Sequence, residues 1–184
     1  MIKGGAMTRW LLGLALFSSV GFSASTLAEQ SVLELLSDQQ NLTPQALMLK
    51  IEKQYSGVIC EFEIDVKNGE LIYEVSIIDT ERETITEFEF KAKDGHLIHQ
   101  KVETLEADDK DGLQAVLLME DINQSFYTLV HKAMNGRHGH ILEAQIDHDL
   151  GISYLEIELI DEDGKHRLAF DIKNQRPLPL LTWD

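Results

Sequence analysis

From Cys60 to Val66 apolar and polar residues alternate: Cys60, Phe62, Ile64 and Val66 on one side, Glu61, Glu63 and Asp65 on the other. That is the two-residue period of a half-buried strand. Lys67-Asn68-Gly69 reads as a turn, because Asn and Gly accept positive φ. The chain then returns with Leu71, Tyr73, Val75 and Ile77 facing inward and Ile72, Glu74, Ser76 and Ile78 facing outward. A third strand is expected over 84–92, with Phe88, Phe90 and Ala92 inward and Glu87, Glu89 and Lys91 outward, and a short fourth over 96–99. Ahead of these strands the period becomes helical. Leu47, Ile51 and Tyr55 form one stripe behind Thr43-Pro44, an N-cap followed by a first-turn proline, and Gly57 marks the helix end. One helix followed by an antiparallel meander gives an α+β unit with one covered sheet face.

The same pattern returns 82 residues later. Gly57 to Asp79 aligns without a gap on Gly139 to Asp161, and Gly57/Gly139, Ile59/Ile141, Glu61/Glu143, Ile64/Ile146, Asp65/Asp147, Gly69/Gly151, Glu74/Glu156, Ile78/Ile160 and Asp79/Asp161 are identical. The helix recurs as well, Leu47 matching Leu129 and Lys50 matching Lys132; Asp121 with Gln124 is expected to open it as a capping pair, and Asn135-Gly136 to end it. Leu168, Phe170 and Ile172 mark the recurring third strand, and Pro177 and Pro179 limit the last one. The expected fold is therefore α+β, two tandem units, each a helix packed on a three- to four-stranded antiparallel sheet. They occupy 44–102 and 121–184, after an N-terminal segment, 29–43, and joined by an acidic and apolar linker, 103–120. Within that linker Leu113 to Met119 is apolar enough to be buried, and its period leaves helix and strand open.

Residues 1–28 follow another logic. Lys3 and Arg9 precede an apolar run from Trp10 to Val20, then small residues to Ala28, the three-part pattern of a secretory signal cleaved after Ala28. The apolar run is well short of the roughly 20 residues that span a bilayer. A periplasmic or secreted protein follows, with no stable membrane insertion after cleavage. Cys60 is the sole cysteine, so no internal disulfide can form and stability must come from the core; the residue reads as a buried thiol, the alternative being an intermolecular disulfide or a nucleophile.

Charge narrows the partners. Against 32 Asp and Glu stand 16 Lys and Arg, a net charge of -16 that opposes binding to nucleic acid and to anionic membrane surfaces. With 184 residues and 43% hydrophobic content the chain has enough apolar material for a packed core.

Catalytic and cofactor chemistry finds little to rest on. Neither Asp109-Lys110-Asp111-Gly112 nor Asp161-Glu162-Asp163-Gly164 makes a calcium loop: the first positions would be Ala107 and Leu159, the twelfth Leu118 and Phe170. His138 and His140 share one side of an extended stretch but His148 lies a strand length away, so the three read as surface histidines, the alternative being zinc or copper binding; no nucleophile elbow, zinc-protease motif or phosphate loop is present. No enzyme, metal or cofactor is assigned. The feature that reads as functional is the outward acidic face. Glu61, Glu63, Glu74, Glu87 and Glu89 in the first unit and Glu143, Glu156 and Glu158 in the second, with Ile72 and Tyr154 interspersed, form the candidate partner-binding surface. Like charges on neighbouring strands repel, so such a face calls for screening, cations or a basic partner; a solvated face that keeps an exported protein soluble is the plainer alternative.

The order helix, G-x-I-x-E-x-x-I-D, turn with Gly, then Y-E-V (Tyr73-Glu74-Val75) or Y-L-E-I (Tyr154-Leu155-Glu156-Ile157), then Asp-Gly and a last strand resembles the PepSY domain. Two copies cover roughly Pro44 to His99 and Gln124 to Leu178, although Lys173-Asn174-Gln175-Arg176 lacks the glycine usual at that place. The resemblance implies an extracytoplasmic, non-catalytic module that inhibits or modulates a peptidase or another envelope protein. The alternatives are a sensory or regulatory partner of an envelope signalling or redox system, or divalent cation binding through the acidic faces.

Overall fold

The computed structural model describes residues 32–37 and 40–179. The expected signal segment, 1–28, lies outside the described residues. The first repeat supplies β1 (Val58–Lys67), β2 (Glu70–Asp79), β3 (Thr84–Lys91) and β4 (Leu97–Thr104); the second supplies β5 (His140–Asp149), β6 (Ile152–Asp161), β7 (Gly164–Asp171) and β8 (Arg176–Leu178). All eight belong to one antiparallel sheet in the order β4-β3-β2-β1-β5-β6-β7-β8. The expectation of two separate helix-on-sheet units is thereby corrected. Each repeat alone would leave the outer side of its first strand with a row of unpaired N–H and C=O groups, and the two first strands satisfy each other.

The junction is Glu61↔Gln145, Phe62↔Ala144 and Glu63↔Glu143. Phe62 and Ala144 are the same position in the two repeats, so a local two-fold axis passes through that pair. The repeats also share a β-bulge, at Cys60 in β1 and Leu142 in β5, where one extra residue interrupts the ladder with the following strand. Strict alternation placed Cys60 with Phe62 and Ile64; in the ladder it is Ile59 that shares their face, opposite Ile77, and Cys60 is the residue inserted between. Its buried thiol donates to the Ser76 carbonyl at 3.4 Å, and burial pushes the thiol pKa far up, which suits an inert packing group.

Helices α1 (Pro44–Gln54) and α3 (Phe126–Ala133) cover the apolar face. Thr43 caps α1, its hydroxyl accepting from the Ala46 N–H at 3.2 Å, and the helix buries Leu47, Met48 and Ile51. Tyr55, just past its end, packs against Phe88 with ring centroids 4.5 Å apart, while Tyr73 donates to the Leu42 carbonyl at 2.7 Å. For α3 the cap is Ser125, not the expected Asp121–Gln124 pair, because residues up to Asp121 are still in the preceding helix. The Glu52 carboxylate on α1 accepts from the Tyr127 N–H at 2.9 Å, so one repeat's helix satisfies an otherwise unpaired donor at the start of the other's.

The expected linker contains the rest of β4, a short 3-10 turn (Ala107–Asp109) and α2 (Lys110–Asp121), which settles Leu113 to Met119 as helical. Ala115, Val116 and Met119 are buried as α2 packs chiefly along β5, with β1 and β6 also in reach. Its start is fitted to the sheet: a Cβ on Gly112 would sit 3.7 Å from Ile78 Cδ1, and near its end Glu120 accepts from Thr80 Oγ1 at 3.0 Å.

The shared glycines before β1 and β5 have a steric cause. Gly57 has φ +97° and Gly139 φ +119°, and a Cβ would lie 2.5 Å from the Ile78 carbonyl oxygen at the first but 3.1 Å from the Ile160 oxygen at the second. Substitution by Ala is expected to destabilise at both sites, by roughly 1–3 kcal/mol, with Gly57→Ala the worse. Because the halves share one sheet, Phe62→Ala should cost about 3–5 kcal/mol and lower a single unfolding transition common to both halves. Urea melts followed by circular dichroism check both; two separate transitions would contradict the joined core.

Candidate functional site: an acidic sheet face

Residues opposite one another in an antiparallel ladder project to the same face, so the register can be followed from strand to strand. On the face away from α1 and α3 one line runs His99, Glu89, Glu74, Glu63, Glu143, Glu158, Arg167 across β4, β3, β2, β1, β5, β6 and β7. Five glutamates thus stand on five adjacent strands, a line of about 19 Å at the usual strand spacing. The line beside it runs Lys101, Glu87, Ser76, Glu61, Gln145, Glu156, Ala169. Because the local axis passes between them, each line is the other's counterpart in the duplication.

Cations hold the flanks. Lys67 Nζ lies 3.6 Å from Asp65, 2.7 Å from Glu74 and 3.1 Å from Glu89. On the other side Lys165 bonds Glu158 at 2.8 Å, and Arg167 reaches Glu156 and Glu158, each at 3.2 Å. Lys101 stands 3.9 Å from Glu87. In the centre, neither Glu61 nor Glu143 makes an ion pair among the described residues; Glu61 accepts from the Ser76 hydroxyl at 3.5 Å.

The titration behaviour follows this layout. Burial, with added repulsion from Glu63, Glu143 and Glu74, pushes the Glu61 carboxyl up to about 7, Ser76 offsetting part of it. Burial and then Glu158 raise Glu143. Glu158 is also desolvated, but Lys165 and Arg167 outweigh that and hold it below the usual carboxylate range.

All eight predicted glutamates are on this one face, which joins residues of both repeats in a way neither repeat shows alone. Glu87 is exposed and the other seven are half-buried. The apolar anchors fare differently. Ile72 is 5% exposed, between Asp65 and Lys91 in the neighbouring strands, and cannot seat on a partner. Ile160, on the same face of β6, is buried as well. Tyr154 is half-buried and donates to Asp147 Oδ2 at 3.1 Å; burial and that carboxylate raise its phenol pKa. Lys67, Lys165 and Arg167 were missed as members of the site, since their glutamate partners stand on neighbouring strands and are set by the register of the hairpins.

A cavity of about 470 Å³ opens beside the centre of the glutamate line, with Glu63, Glu143, Glu158 and Lys165 on its walls, Val32 at one side and Leu142 among its apolar lining. His140 and His148 occupy opposite ends of β5, and His148 Nδ1 is taken by Ser153 Oγ at 2.8 Å. Among the described residues no group of three His, Cys, Asp or Glu is placed to hold a metal ion, and no helix is long and apolar enough to cross a membrane.

No family model matches the chain. It is similar to the uncharacterized protein YkoJ of Bacillus subtilis (strain 168), 43% identical over 51 residues, which is 28% of this chain and spans only 29% of that protein. Among solved structures it is similar to the protein CD1622 from Clostridium difficile 630, at 20% identity and a TM-score of 0.46, over 79% of this chain and 97% of the other.

Glu61 gives a pH signature. Its pKa is raised in the fold, so between about 4.5 and 7 the folded state holds a proton that the unfolded state has released, and this group's contribution to stability falls as pH rises through that window. Glu61→Gln should remove the fall: equal to the parent in the effect of this site below the window, and more stable above it by roughly 2–3 kcal/mol. Thermal melts of parent and variant across the window check the difference; parallel curves would refute it.

Proposed function

We propose that the chain is an exported, non-catalytic binding module with PepSY-like repeats, whose acidic sheet face receives a basic segment of a protein partner. The partner is a peptidase or another envelope protein that the module inhibits or modulates. The observation that carries this reading is the line Glu89, Glu74, Glu63, Glu143, Glu158, five glutamates on five adjacent strands built across the junction of the repeats.

Like-charged neighbours in a sheet each cost a few tenths of a kcal/mol to about 1 kcal/mol. That cost is relieved when arginine or lysine side chains of a partner lie along the line. The cavity next to Glu63 and Glu143 gives such a side chain an apolar wall for its stem and carboxylates for its head. Charge of this density favours fast, salt-sensitive association.

A second, regulatory reading as part of an envelope sensor is favoured by one feature. Glu61 titrates near 7, so the charge at the centre of the face changes with modest acidification.

The test is stoichiometric inhibition of secreted metallopeptidases from the same organism, measured at low and high salt. Inhibition is expected to weaken steeply with salt, and Glu63→Lys with Glu143→Lys should weaken it by roughly a hundredfold while circular dichroism stays unchanged. Full inhibition by the doubly reversed variant would remove the acidic line from the reading, and no inhibition of any such peptidase would remove the peptidase.

A further inference from the structure

The sheet ends in two open edges that differ. At one, β8 is three residues long and includes Pro177, which cannot donate to a further strand. At the other, β4 runs for eight residues without proline or glycine. Ile98 and Val102 there are 46% and 56% exposed. Among the described residues no strand pairs with the outer side of β4.

Hydrogen bonds fix which groups that edge presents. The Lys91 N–H donates to the His96 carbonyl at 2.9 Å, and the Leu105 N–H to the Glu83 carbonyl at 3.0 Å. The pairs Ile85↔Glu103, Glu87↔Lys101 and Glu89↔His99 lie in phase with these bonds. The backbones of His99, Lys101 and Glu103 therefore turn inward to β3, and those of Gln100, Val102 and Thr104 turn outward.

We infer that this edge pairs antiparallel with the same edge of a second copy of the chain, in the register centred on Val102. A two-fold pairing can be centred on any residue, and side chains choose among the registers. Centring on His99, Lys101 or Glu103 sets that residue against its own counterpart, and centring on Lys101 opposes the two lysines although it sets His99 against Glu103. Centring on Gln100 sets Lys101 against His99, and on Thr104 leaves Lys101 opposite the turn at Ala107. Lys101 and Glu103 already bond at 2.5 Å within one strand, and centring on Val102 sets each Lys101 against Glu103 of the second copy as well, twice, so that the two pairs join in one alternating cluster on the acidic face. The same register sets Val102 against its own counterpart on the apolar face and makes Val102 a doubly hydrogen-bonded pair.

Two features favour a copy of the chain as the occupant. Within an acidic protein β4 carries one Lys and one Glu, so the strand itself is free of net charge apart from its histidine. Repulsion between the remaining charges is screened beyond about 8 Å at physiological ionic strength. The fold moreover joins its own halves by this device, through β1 and β5 across a local two-fold axis. A single strand pair is a small interface, so the association is weak and concentration-dependent.

Analytical ultracentrifugation of the chain at physiological ionic strength, from micromolar toward millimolar, should show the mass rising toward twice the monomer. Val102→Pro removes an outward N–H that the β3–β4 ladder does not use and should leave a folded monomer at every concentration. Lys101→Glu should weaken association by roughly tenfold or more, and Lys101→Glu with Glu103→Lys should restore it. The inference is overturned by a monomer throughout, by a dimer that Val102→Pro leaves intact, or by a single charge reversal without effect. Binding of an unrelated extended peptide at this edge, with the chain itself monomeric, would equally overturn it.

Discussion

The structure depends on three residue pairs between β1 and β5. Each repeat can bury its own apolar face under its own helix, but neither can complete the outer edge of its first strand. Pairing the two edges removes that exposure and extends the sheet to eight strands. The helices then have one floor to share, and the Glu52 to Tyr127 bond between α1 and α3 becomes possible because the two repeats are held in fixed relation below. Phe62 and Ala144 at the axis differ greatly in size, which is how an antiparallel pair of equivalent positions fills one site without a clash.

The same junction makes the acidic face. A register slip of one residue would send Glu63 and Glu143 to the core and Phe62 and Ala144 to solvent, a cost no acidic row could offset. Apolar burial on one side therefore dictates the alignment of charge on the other. Lys67, Lys165 and Arg167 reduce the repulsion where the strands leave room for long side chains, at the flanks, while the central carboxylates lie among half-buried neighbours. Desolvation and proximity then raise Glu61 and Glu143, whereas Glu158, equally part of the line, stays ionised beside two cations.

Period and turn residues made the strands, the α1 cap at Thr43 and the internal duplication legible, because those signals are local. The merging of the sheets was not, since it is decided by pairing residues some 80 positions apart and no local spacing encodes it. The bulges at Cys60 and Leu142 also escaped, since an inserted residue looks like ordinary alternation until its partner strand is known. Helix α2 was hidden by a run too short to show its period. At the site, the glutamates were legible as an outward face and their cations were not. Ile72 read as exposed because alternation assigns a side, not a depth; the neighbouring strands decide how much of it water reaches.

The duplication also shows where the two halves part. Under the local axis Glu63 corresponds to Gln145 and Glu158 to Ser76, so one line holds five carboxylates and its counterpart only Glu87, Glu61 and Glu156. Had both repeats kept a glutamate at positions 63, 76, 145 and 158, the centre of the face would carry opposed pairs in two adjacent lines. Gln145 opposite Glu61, and Ser76 as its hydrogen-bond donor, remove that repulsion from one line and leave the other intact. The two repeats share the residues that make strands and turns, and they differ where identical residues would have overloaded the face. The outcome is a polar asymmetry on a nearly symmetric sheet: one unbroken line of five carboxylates beside a counterpart line that holds three.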